Sequence, residues 1–440
     1  MAILRRKIEE QIRSFYENRP QKILIVEGAR QVGKSFIIRQ VGQQIFKNFV
    51  EVNLLDDANS RRRFESVRTT EELYIQLGIL AGGKLTTRTD TLVFLDEIQA
   101  YPHLLTMLKF LVQDSRYSFI ASGSLLGVTL SQTVSTPMGS IEIADMYPLD
   151  FEEFLWANNM SEATIEFFHD AFRQKESLGE SFHDQLMDLF KKYLLVGGLP
   201  EAVKSYLETY NIVNVRKIQT QTHKFYGLDA AQYDKERKLK ITNVYSLIPS
   251  MLENRKKRIV AQEIEGRRGK TMRDYQDEFD YLISAGIALD VKAISNPKFP
   301  LLESTQKNLL KLYLNDVGIL TNLLYGRNVD PILNDVRSIN LGSVYESVVA
   351  QELKAHGHAL HYYDNKQQGE VDFLIDNYDT LSVLPIEVKS GKDYQIHSAL
   401  NNFTKNEEYH IDGALVLSNN RIVQTKGKIT YMPVYYVLFL

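Results

Sequence analysis

Residues 28–35, GARQVGKS, reproduce the full spacing G-x-x-x-x-G-K-[ST]. Glycines at these positions let backbone N–H groups close around phosphate oxygens, and a helix that begins there adds the positive end of its dipole. The lysine reaches the β- and γ-phosphates, and the hydroxyl residue binds Mg²⁺. The spacing therefore predicts a site for ATP and Mg²⁺. Its residues are Gly28, Ala29, Arg30, Gln31, Val32, Gly33, Lys34 and Ser35.

The sequence around this motif supports the same interpretation. An apolar segment, residues 22–27, precedes it, and a helical pattern begins at Phe36. A strand, a loop and a helix in this order are the context that the motif requires. A chance glycine-rich turn is the weaker alternative.

Two carboxylates follow a second apolar segment, residues 91–95. One carboxylate is required near Mg²⁺, and another can polarise the attacking water. We assign Asp96 to the metal and Glu97 to the catalysis of hydrolysis. Taken alone, such a pair would more often cap a helix, but its position after the phosphate-binding motif favours the functional role. Ser122, at the end of the next apolar segment, could contact the γ-phosphate, although a plain turn is equally consistent.

A further set of charged residues lies near the C-terminus, in the segments GEVDFLI and PIEVK. Side chains alternate between the two faces of a strand. Asp372 therefore lies opposite the apolar side chains of its own strand, and Glu387 and Lys389 point together to one side of theirs. An ordinary hairpin with alternating surface charges would show the same pattern.

Glu346 occupies an unusual position in the predicted helix 343–354. It shares a face with Val349, Ala350 and Leu353 at the helical spacing of a buried stripe. A carboxylate on such a stripe is costly unless it has a partner. The pattern therefore predicts that Glu346 is paired in the folded protein.

Residues 255–273 are strongly basic and contain only two carboxylates, Glu263 and Glu265. The positive residues are Arg255, Lys256, Lys257, Arg258, Arg267, Arg268, Lys270 and Arg273. We expect residues 241–325 to resemble a winged helix, with a first helix at 243–252, a second at 260–263, a recognition helix at 271–285, and a β-ribbon through Lys292 and Lys298 as the wing. Such a patch can neutralise DNA phosphates. A solvated helix face, or docking to the ATPase domain, would equally explain it.

The elements that must position these residues alternate in the first part of the chain. Apolar segments at 22–27, 49–54, 91–95 and 117–121 are separated by helical patterns. Strands separated by helices predict a parallel sheet covered on both faces, which is a three-layer α/β sandwich. Residues 151–233 look helical. After residue 341 the sequence predicts one helix, strands at 369–376, 384–390 and 413–418, and an apolar C-terminal strand.

Composition limits the class of protein. The 440 residues carry a net charge of −3, so the whole chain has no general attraction to nucleic acid or membranes. The absence of cysteine excludes disulfides and thiolate chemistry, and it fits a reducing compartment. The sequence shows neither a signal peptide nor an apolar stretch long enough to span a bilayer. We therefore expect a cytoplasmic protein without membrane contact.

Several blocks resemble one family. GARQVGKS, FLDEIQ, ASGS, YPLDFEEF and GGLPEA are similar to the signature blocks of the AAA-14 ATPases, which carry a C-terminal DUF4143 region. The resemblance covers nearly the whole chain. The YPLDFEEF block is rather specific to that group, and it implies an extra strand followed by helices at 147–155.

The resemblance also implies a role for the C-terminal charged residues. Together they look like the core of PD-(D/E)xK nucleases. Asp372 and Glu387 would then hold Mg²⁺, Lys389 would position a hydroxide, and Glu346 would complete the acidic cluster.

The sequence departs from the family in one respect. Many relatives carry an arginine just before the YPL block, where this chain has Ser140, and the chain has neither Arg nor Lys between Arg116 and Arg173. An arginine finger raises related phosphoryl-transfer rates by about 10³–10⁵. Either Arg116 or the run 61–63 replaces it, or hydrolysis is slow and the nucleotide acts as a switch, which we favour.

The sequence thus predicts an α/β multidomain protein. We expect a P-loop AAA-type ATPase with a helical lid at 1–235, a winged-helix domain at 236–328, and a nuclease-like α/β domain at 329–440. Nucleotide state would control the DNA-facing parts. The alternative is an ATP-dependent switch whose nuclease-like domain is inactive and binds protein or nucleic acid. ATP is the expected ligand. DNA through residues 255–273, a second copy of the chain and another protein are the possible partners.

Overall fold

The structure is a computed structural model. It describes residues 3–18, 20–55, 63–124, 139–233, 238–254, 256–266, 268–334, 336, 339–391 and 394–440. Contacts divide the chain into two compact units: residues 3–147 with 284–286, and residues 148–283 with 287–440. Four of the arginines considered above lie outside the described residues. They are Arg61, Arg62, Arg255 and Arg267.

A parallel five-stranded sheet forms the centre of the first unit. The strands are β1 (Ile23–Glu27), β2 (Asn48–Asn53), β3 (Thr91–Asp96), β4 (Ser118–Gly123) and β5 (Ile141–Asp145). Their order is β2-β3-β4-β1-β5, and every neighbouring pair is parallel. The four strands expected in this region are present with ends shifted by a residue or two. The family resemblance implied an extra strand followed by helices at 147–155. A helix begins there at Phe151, whereas the extra strand β5 lies earlier, before the YPL block.

Helices cover both faces of this sheet. They are α1 (Ile8–Glu17), α2 (Lys34–Ile45), α3 (Thr70–Ala81) and α4 (Pro102–Asp114). Val93 and Leu95 of the buried strand β3 pack in one core cluster with residues of α3 and α4. The alternate residue Leu92 lies with Phe49 beside Gly42 of α2. The parallel α/β sandwich is therefore confirmed.

The second unit begins with helices. They are α5 (Phe151–Ala157), α6 (Glu162–Gln174), α7 (Glu180–Val196), α8 (Pro200–Thr209), α9 (Ile212–Tyr233), α10 (Lys238–Glu253), α11 (Ala261–Glu265), α12 (Gln276–Ser284), α13 (Val317–Tyr325), α14 (Asp330–Leu333), α15 (Gly342–Ala355) and α16 (Ser398–Lys405). Glu352, buried on α15, accepts hydrogen bonds from the Phe151 N–H (3.0 Å) and the Tyr193 hydroxyl (3.0 Å). This carboxylate thus ties α15 to α5 and α7.

An eight-stranded mixed sheet completes the second unit. Its strands are β6 (Ala288–Asn296), β7 (Thr305–Leu314), β8 (His361–Asn365), β9 (Gly369–Asn377), β10 (Ser382–Lys389), β11 (Ala414–Ser418), β12 (Gln424–Lys426) and β13 (Ile429–Pro433). The order is β12-β13-β11-β10-β9-β8-β6-β7. Strands β8 and β12 were not expected. The expected C-terminal strand ends at Pro433, and a 3₁₀ helix, Val434–Phe439, follows it.

The structure divides the chain differently from the three expected domains. The expected boundary at 235/236 lies inside the second unit, because helices on both sides of it pack together. The buried guanidinium of Arg216 on α9, for example, donates to the backbone oxygen of Gly318 on α13 (3.1 Å). The helices expected to form a lid therefore belong to the same compact unit as the C-terminal region.

The expected wing is also not a free ribbon. The helices and the β6–β7 hairpin expected for a winged helix are present, with helices at Lys238–Glu253, Ala261–Glu265 and Gln276–Ser284. However, β6 pairs on its other edge with β8, in parallel, from Lys292 with His361 to Ile294 with Tyr363. The hairpin therefore extends the C-terminal sheet, and the expected boundary at 328/329 cuts through that sheet. Among the described residues, the helices are all too short or too polar to cross a membrane.

Candidate functional site

The phosphate-binding motif forms the connection between β1 and α2, as expected. A Cβ on Gly28 would lie 2.1 Å from the backbone oxygen of Met146, so only glycine fits at that point. Gly33 precedes α2 with a φ of 100°, in the left-handed region that other residues avoid. The two glycines thus let the loop pass close to β5 and turn into the helix.

Lys34 is the first residue of α2, and its side chain turns back under the loop. It is 6% exposed, and its ammonium donates to the backbone oxygens of Gly28 (2.8 Å) and Ala29 (2.8 Å). Burial lowers its pKa to about 8, although the nearby carboxylates of Glu97 and Asp96 oppose the shift. A buried ammonium whose hydrogen-bond partners are peptide oxygens would gain from a phosphate in the loop.

Asp96 lies where the ends of three strands meet. The Ser35 hydroxyl donates to both of its carboxylate oxygens (3.0 Å each), and the Ser122 hydroxyl donates to Oδ1. The Asn53 side-chain amide is 3.5 Å from Oδ2. Burial raises the pKa of Asp96, and the two hydroxyl donors partly offset this rise. Ser35 and Asp96 supply the hard oxygen donors that suit Mg²⁺.

Glu97 follows Asp96 but adopts a left-handed conformation, with a φ of 59°. This turn directs its carboxylate to the side-chain amide of Gln99, which donates to Glu97 Oε2. The same amide is 3.4 Å from the hydroxyl of Ser124 just beyond β4. Glu97 is therefore held by a neighbour two residues away.

Three residues of this region were missed in the sequence. Arg6 is buried, and its guanidinium donates to the backbone oxygens of Val32 (3.0 Å) and Tyr147 (2.7 Å), which holds the loop from behind. Asn53 pairs in register with Asp96, and Gln99 holds Glu97. Asn53 could have been found in the sequence, because it is a polar residue at the end of an apolar strand. No feature of the sequence near Arg6 indicates its role.

The C-terminal charged residues lie on the paired strands β9 and β10 and on α15. Asp372 on β9 accepts a hydrogen bond from the Val388 N–H (2.8 Å), and the Lys389 ammonium donates to Glu387 Oε1 (2.7 Å). Burial, together with the charges of Glu346 and Glu387, raises the pKa of Asp372 well above its usual range. Burial raises the pKa of Glu387 as well. Mutual repulsion and desolvation thus both disfavour the charged carboxylates.

Glu346 has the partners that its buried position required. The Lys257 ammonium donates to Glu346 Oε1, and the Tyr313 hydroxyl donates to Oε2 (3.2 Å). The side chains of Glu346 and Lys257 are 6% and 16% exposed, so the ion pair is largely shielded from water.

A second buried lysine adjoins this cluster. Lys311 on β7 is fully buried, with its ammonium 2.7 Å from Glu370 and 4.5 Å from the centre of the Tyr362 ring. Burial opposes its charge, but the carboxylates of Glu346 and Glu370 outweigh burial and raise its pKa. Neither Lys257 nor Lys311 was recognised as part of this site in the sequence.

The cluster offers free oxygen atoms for a cation. Glu387 Oε2 is buried and has no hydrogen-bond partner among the described residues. Asp372 and Glu387 are hard oxygen donors of the kind that Mg²⁺ or Mn²⁺ prefers. In the described part of the chain, however, no group of three or more Asp, Glu, His or Cys side chains is arranged to hold a metal ion. Binding of a metal ion at this site would therefore depend on Asp372 and Glu387 alone.

The basic residues are used in different ways. Lys257 is bound to Glu346, Arg258 is 4.0 Å from Asp364, and Lys270 is 3.7 Å from Asp274. Arg268 and Arg273 are exposed. Some side chains of the basic segment therefore form ion pairs with carboxylates of their own unit.

Arg116 is held by residues of its own unit. Its guanidinium lies 4.5 Å from the centre of the Tyr74 ring and 3.0 Å from Asp114, and it also contacts Glu71. These contacts keep the side chain at the surface of α3 and α4 in the described conformation.

The parallel sheet, the glycine-rich loop, and the grouping of Lys34, Ser35 and Asp96 define the first unit as a P-loop ATPase-like domain. Comparison with known families agrees, because the AAA domain model matches residues 20–155. Two domains of unknown function match further on, DUF8612 at residues 187–330 and DUF4143 at residues 341–437. The AAA and DUF4143 parts of the expected architecture are thereby confirmed, and the DUF8612 match spans the boundary expected at 235.

Two curated relatives come from Methanocaldococcus jannaschii. The uncharacterized protein MJ1544 is 24% identical over 389 residues, which are 86% of this chain and 78% of the relative. The uncharacterized protein MJ1637 is 23% identical over 448 residues, covering 97% of this chain and 86% of the relative. Among solved structures, the Walker-type ATPase PABY2304 of Pyrococcus abyssi matches 73% of this chain and 96% of its own. Its TM-score is 0.41 and its identity 14%.

Proposed function

We propose that this protein binds and hydrolyses ATP, and that its nucleotide state controls a nuclease-like, DNA-facing module. The grouping of Lys34, Ser35 and Asp96 at one end of a parallel sheet carries the first part of this proposal. The cluster of Asp372, Glu387 and Lys389 supports the second part.

In the ATPase site, each residue has a separate task. The ammonium of Lys34 exchanges the two peptide oxygens for the β- and γ-phosphate oxygens. Ser35 and Asp96 offer oxygen ligands to Mg²⁺, which neutralises charge on the phosphates when bound. Glu97 polarises the attacking water and takes its proton. Ser122, already bonded to Asp96, lies on the strand beside it and senses the γ-phosphate.

In the nuclease-like site, Asp372 and Glu387 would hold a divalent cation. The free Oε2 of Glu387 supports this assignment, because an unpartnered buried oxygen is costly without a ligand. A cation between the two carboxylates would relieve their repulsion and would supply hydroxide at neutral pH. Lys389 would orient the attacking water, and Glu346 would complete the acidic cluster.

Metal-dependent nicking of plasmid DNA tests the nuclease. Supercoiled DNA, linear DNA and single-stranded RNA are incubated with full-length protein and Mg²⁺ or Mn²⁺, with and without ATP. We expect Asp372→Ala and Lys389→Ala to abolish cleavage while ATP binding persists. The matched control is Asp379→Ala, which removes an exposed carboxylate from the turn after β9. Equal cleavage by Asp372→Ala and wild type would disprove the assignment.

A second function has one observation in its favour. The ammonium of Lys257 already neutralises Glu346, which is how a catalytically inactive site could be stabilised without a metal. The protein would then be an ATP-dependent switch whose nuclease-like module binds protein or nucleic acid without cutting it. Thermal unfolding with Mn²⁺ separates the two functions. A melting temperature that rises in wild type but not in Asp372→Ala supports the nuclease, and no rise in either supports the switch.

We further propose DNA as the partner of residues 255–273. The exposure of Lys256, Arg268 and Arg273 supports this proposal, since exposed cations can reach phosphates. Assembly with a second copy or with another protein, and a cytoplasmic location, complete the proposal.

A further inference from the structure

A groove of about 700 Å³ lies in the second unit between α9 and the C-terminal end of α13. One face of α9, from Val213 to Leu228, lines it, and Asn322, Gly326 and Arg327 line it from α13 and the residues just after that helix. At 1.5 Å per residue this face is about 22 Å long. A groove of this length matches a helix of about fifteen residues.

All the charged side chains that line the groove, among the described residues, are positive. Arg216, Lys217, Lys224 and Arg327 line it, and no carboxylate is among its described lining residues. No ion pair within the described parts of the chain involves Lys217, Lys224 or Arg327. In a chain whose net charge is −3, this is a local excess of unpaired positive charge. Such a surface attracts an acidic ligand.

The groove also exposes large apolar side chains. Phe225 is 44% exposed and Leu228 is 47% exposed. An exposed apolar patch rimmed by polar residues is typical of an interaction surface. The combination of cations and apolar side chains along one helix face fits an amphipathic partner better than a bare polyanion.

Arg216 adds an independent observation. It is 3% exposed, and one of its Nη atoms donates to the backbone oxygens of Leu195 (3.1 Å) and Gly318 (3.1 Å) and to Thr321 (3.0 Å). Its Nε and its other Nη have no hydrogen-bond partner among the described residues. Burial lowers its pKa to about 10. The nearby carboxylate of Asp316 partly opposes this shift, and an anion in the adjoining groove would stabilise the guanidinium further.

We propose that this groove binds an acidic amphipathic helix of a partner protein. The apolar side chains of the helix pack on Phe225 and Leu228, and its carboxylates face Lys217, Lys224 and Arg327. Helix-in-groove recognition of this kind uses apolar anchors at helical spacing, with charge pairs fixing the orientation.

Fluorescence polarisation with full-length protein tests the proposal. The probe is a labelled 16-residue peptide with leucine at i, i+3, i+4, i+7 and i+11 and mostly glutamate elsewhere. A second peptide replaces every glutamate with lysine, and a labelled 20-mer of deoxythymidine represents nucleic acid. We expect binding of the acidic peptide alone, with an affinity that falls as salt is raised.

Variants locate the binding. Lys217→Glu with Lys224→Glu should weaken binding by about tenfold or more, because like charges then face each other. Phe225→Ala should weaken it as well without changing the net charge. The matched control, Lys84→Glu with Lys405→Glu, makes the same change in net charge at exposed sites outside the groove.

Circular dichroism confirms that each variant is folded. If the acidic peptide fails to bind, or binds the charge-reversed variant as tightly as wild type, the proposal is wrong. Binding of the deoxythymidine 20-mer in place of the acidic peptide, lost in the charge-reversed variant, would instead assign the groove to nucleic acid.

Discussion

Lys257 and Glu346 form a buried ion pair between the basic segment and the helix beneath the carboxylate cluster. Lys257 lies four residues after the end of α10 and adopts a left-handed backbone conformation, with a φ of 47°. The pair gives Glu346 the partner that its apolar position demanded. It also removes Lys257 from the surface available to DNA.

Lys257→Met should destabilise the protein strongly, because it leaves the buried carboxylate of Glu346 without its cation. Breaking one side of a buried pair costs about 3–5 kcal/mol. The double variant Lys257→Met with Glu346→Gln should recover most of the loss. Urea unfolding of the four proteins gives the coupling energy. Lys256→Met, at the exposed neighbouring position, is the control and should change stability by less than about 0.5 kcal/mol. Equal effects at the two positions would argue against the pair.

Lys34→Ala should abolish tight ATP binding. Two charge-assisted hydrogen bonds are lost, each worth about 1.5–3 kcal/mol, and the expected loss of affinity is about 100-fold or more. Isothermal titration calorimetry measures it. Lys22→Ala, at the opposite end of β1 in a surface ion pair with Glu142 (3.6 Å), serves as the control. ATP affinity that is unchanged in Lys34→Ala would refute the site.

Glu97→Gln should keep ATP affinity but reduce turnover by about 10²–10⁴, since it removes only the group that acts on water. Gln99→Ala leaves the carboxylate in place but removes its hydrogen-bond donor. A smaller loss of kcat with unchanged KM is therefore expected. Phosphate release under saturating ATP distinguishes the two variants. A Gln99→Ala enzyme with wild-type kcat would show that Gln99 does not position Glu97.

If the basic segment binds DNA, Arg268, Lys270 and Arg273 contact phosphates. The affinity for DNA should then fall as the salt concentration rises. Replacing all three with alanine removes at most three phosphate contacts, which flattens the slope of log K against log salt by about 2.7 at most. Electrophoretic shift assays at several salt concentrations provide the slope.

The control for this experiment is a triple variant in which Lys84, Lys175 and Lys405 are replaced with alanine. These three lysines are exposed and lie outside the basic segment. The control variant changes the net charge by the same amount. If both triple variants lower the slope equally, the segment has no particular role in binding DNA.

Asp316 should make stability depend on pH. It caps α13 and accepts hydrogen bonds from the N–H groups of Gly198 (2.6 Å) and Ile319 (2.9 Å). Burial raises its pKa to about 6, and these N–H donors offset part of the shift. Because the folded pKa lies above the unfolded value, the contribution of Asp316 is fully present below about pH 4. It declines as the pH rises through about 6.

Asp316→Asn removes this titration. We expect the stability of the variant to fall less than that of wild type between pH 4 and pH 7, with each pKa unit worth about 1.4 kcal/mol. Differential scanning calorimetry of the full chain measures the difference. If the stability of the two proteins changes with pH in the same way, the prediction is wrong, because the pKa of Asp316 is then not raised by folding.

The sequence determined the features that depend on local order. The phosphate-binding loop needs a fixed spacing of glycines, lysine and serine between a strand and a helix, and the structure has that order at Ile23–Glu27 and Lys34–Ile45. The parallel sheet followed from apolar strands alternating with helices. The pairing of Glu346 followed from its place on an apolar helix face, because burial of an unpaired carboxylate is too costly.

Only the tertiary structure identified the partners of these residues. Lys257 meets Glu346, Lys311 meets Glu370, and Arg6 supports the phosphate-binding loop, over separations in sequence that no local pattern spans. The same applies to the β6–β7 hairpin. The sequence predicted a β-ribbon there, but pairing of β6 with β8 depends on which strand edge lies nearby. Spacing along the chain specifies local geometry, whereas the choice among distant partners is made by the packing of the whole unit.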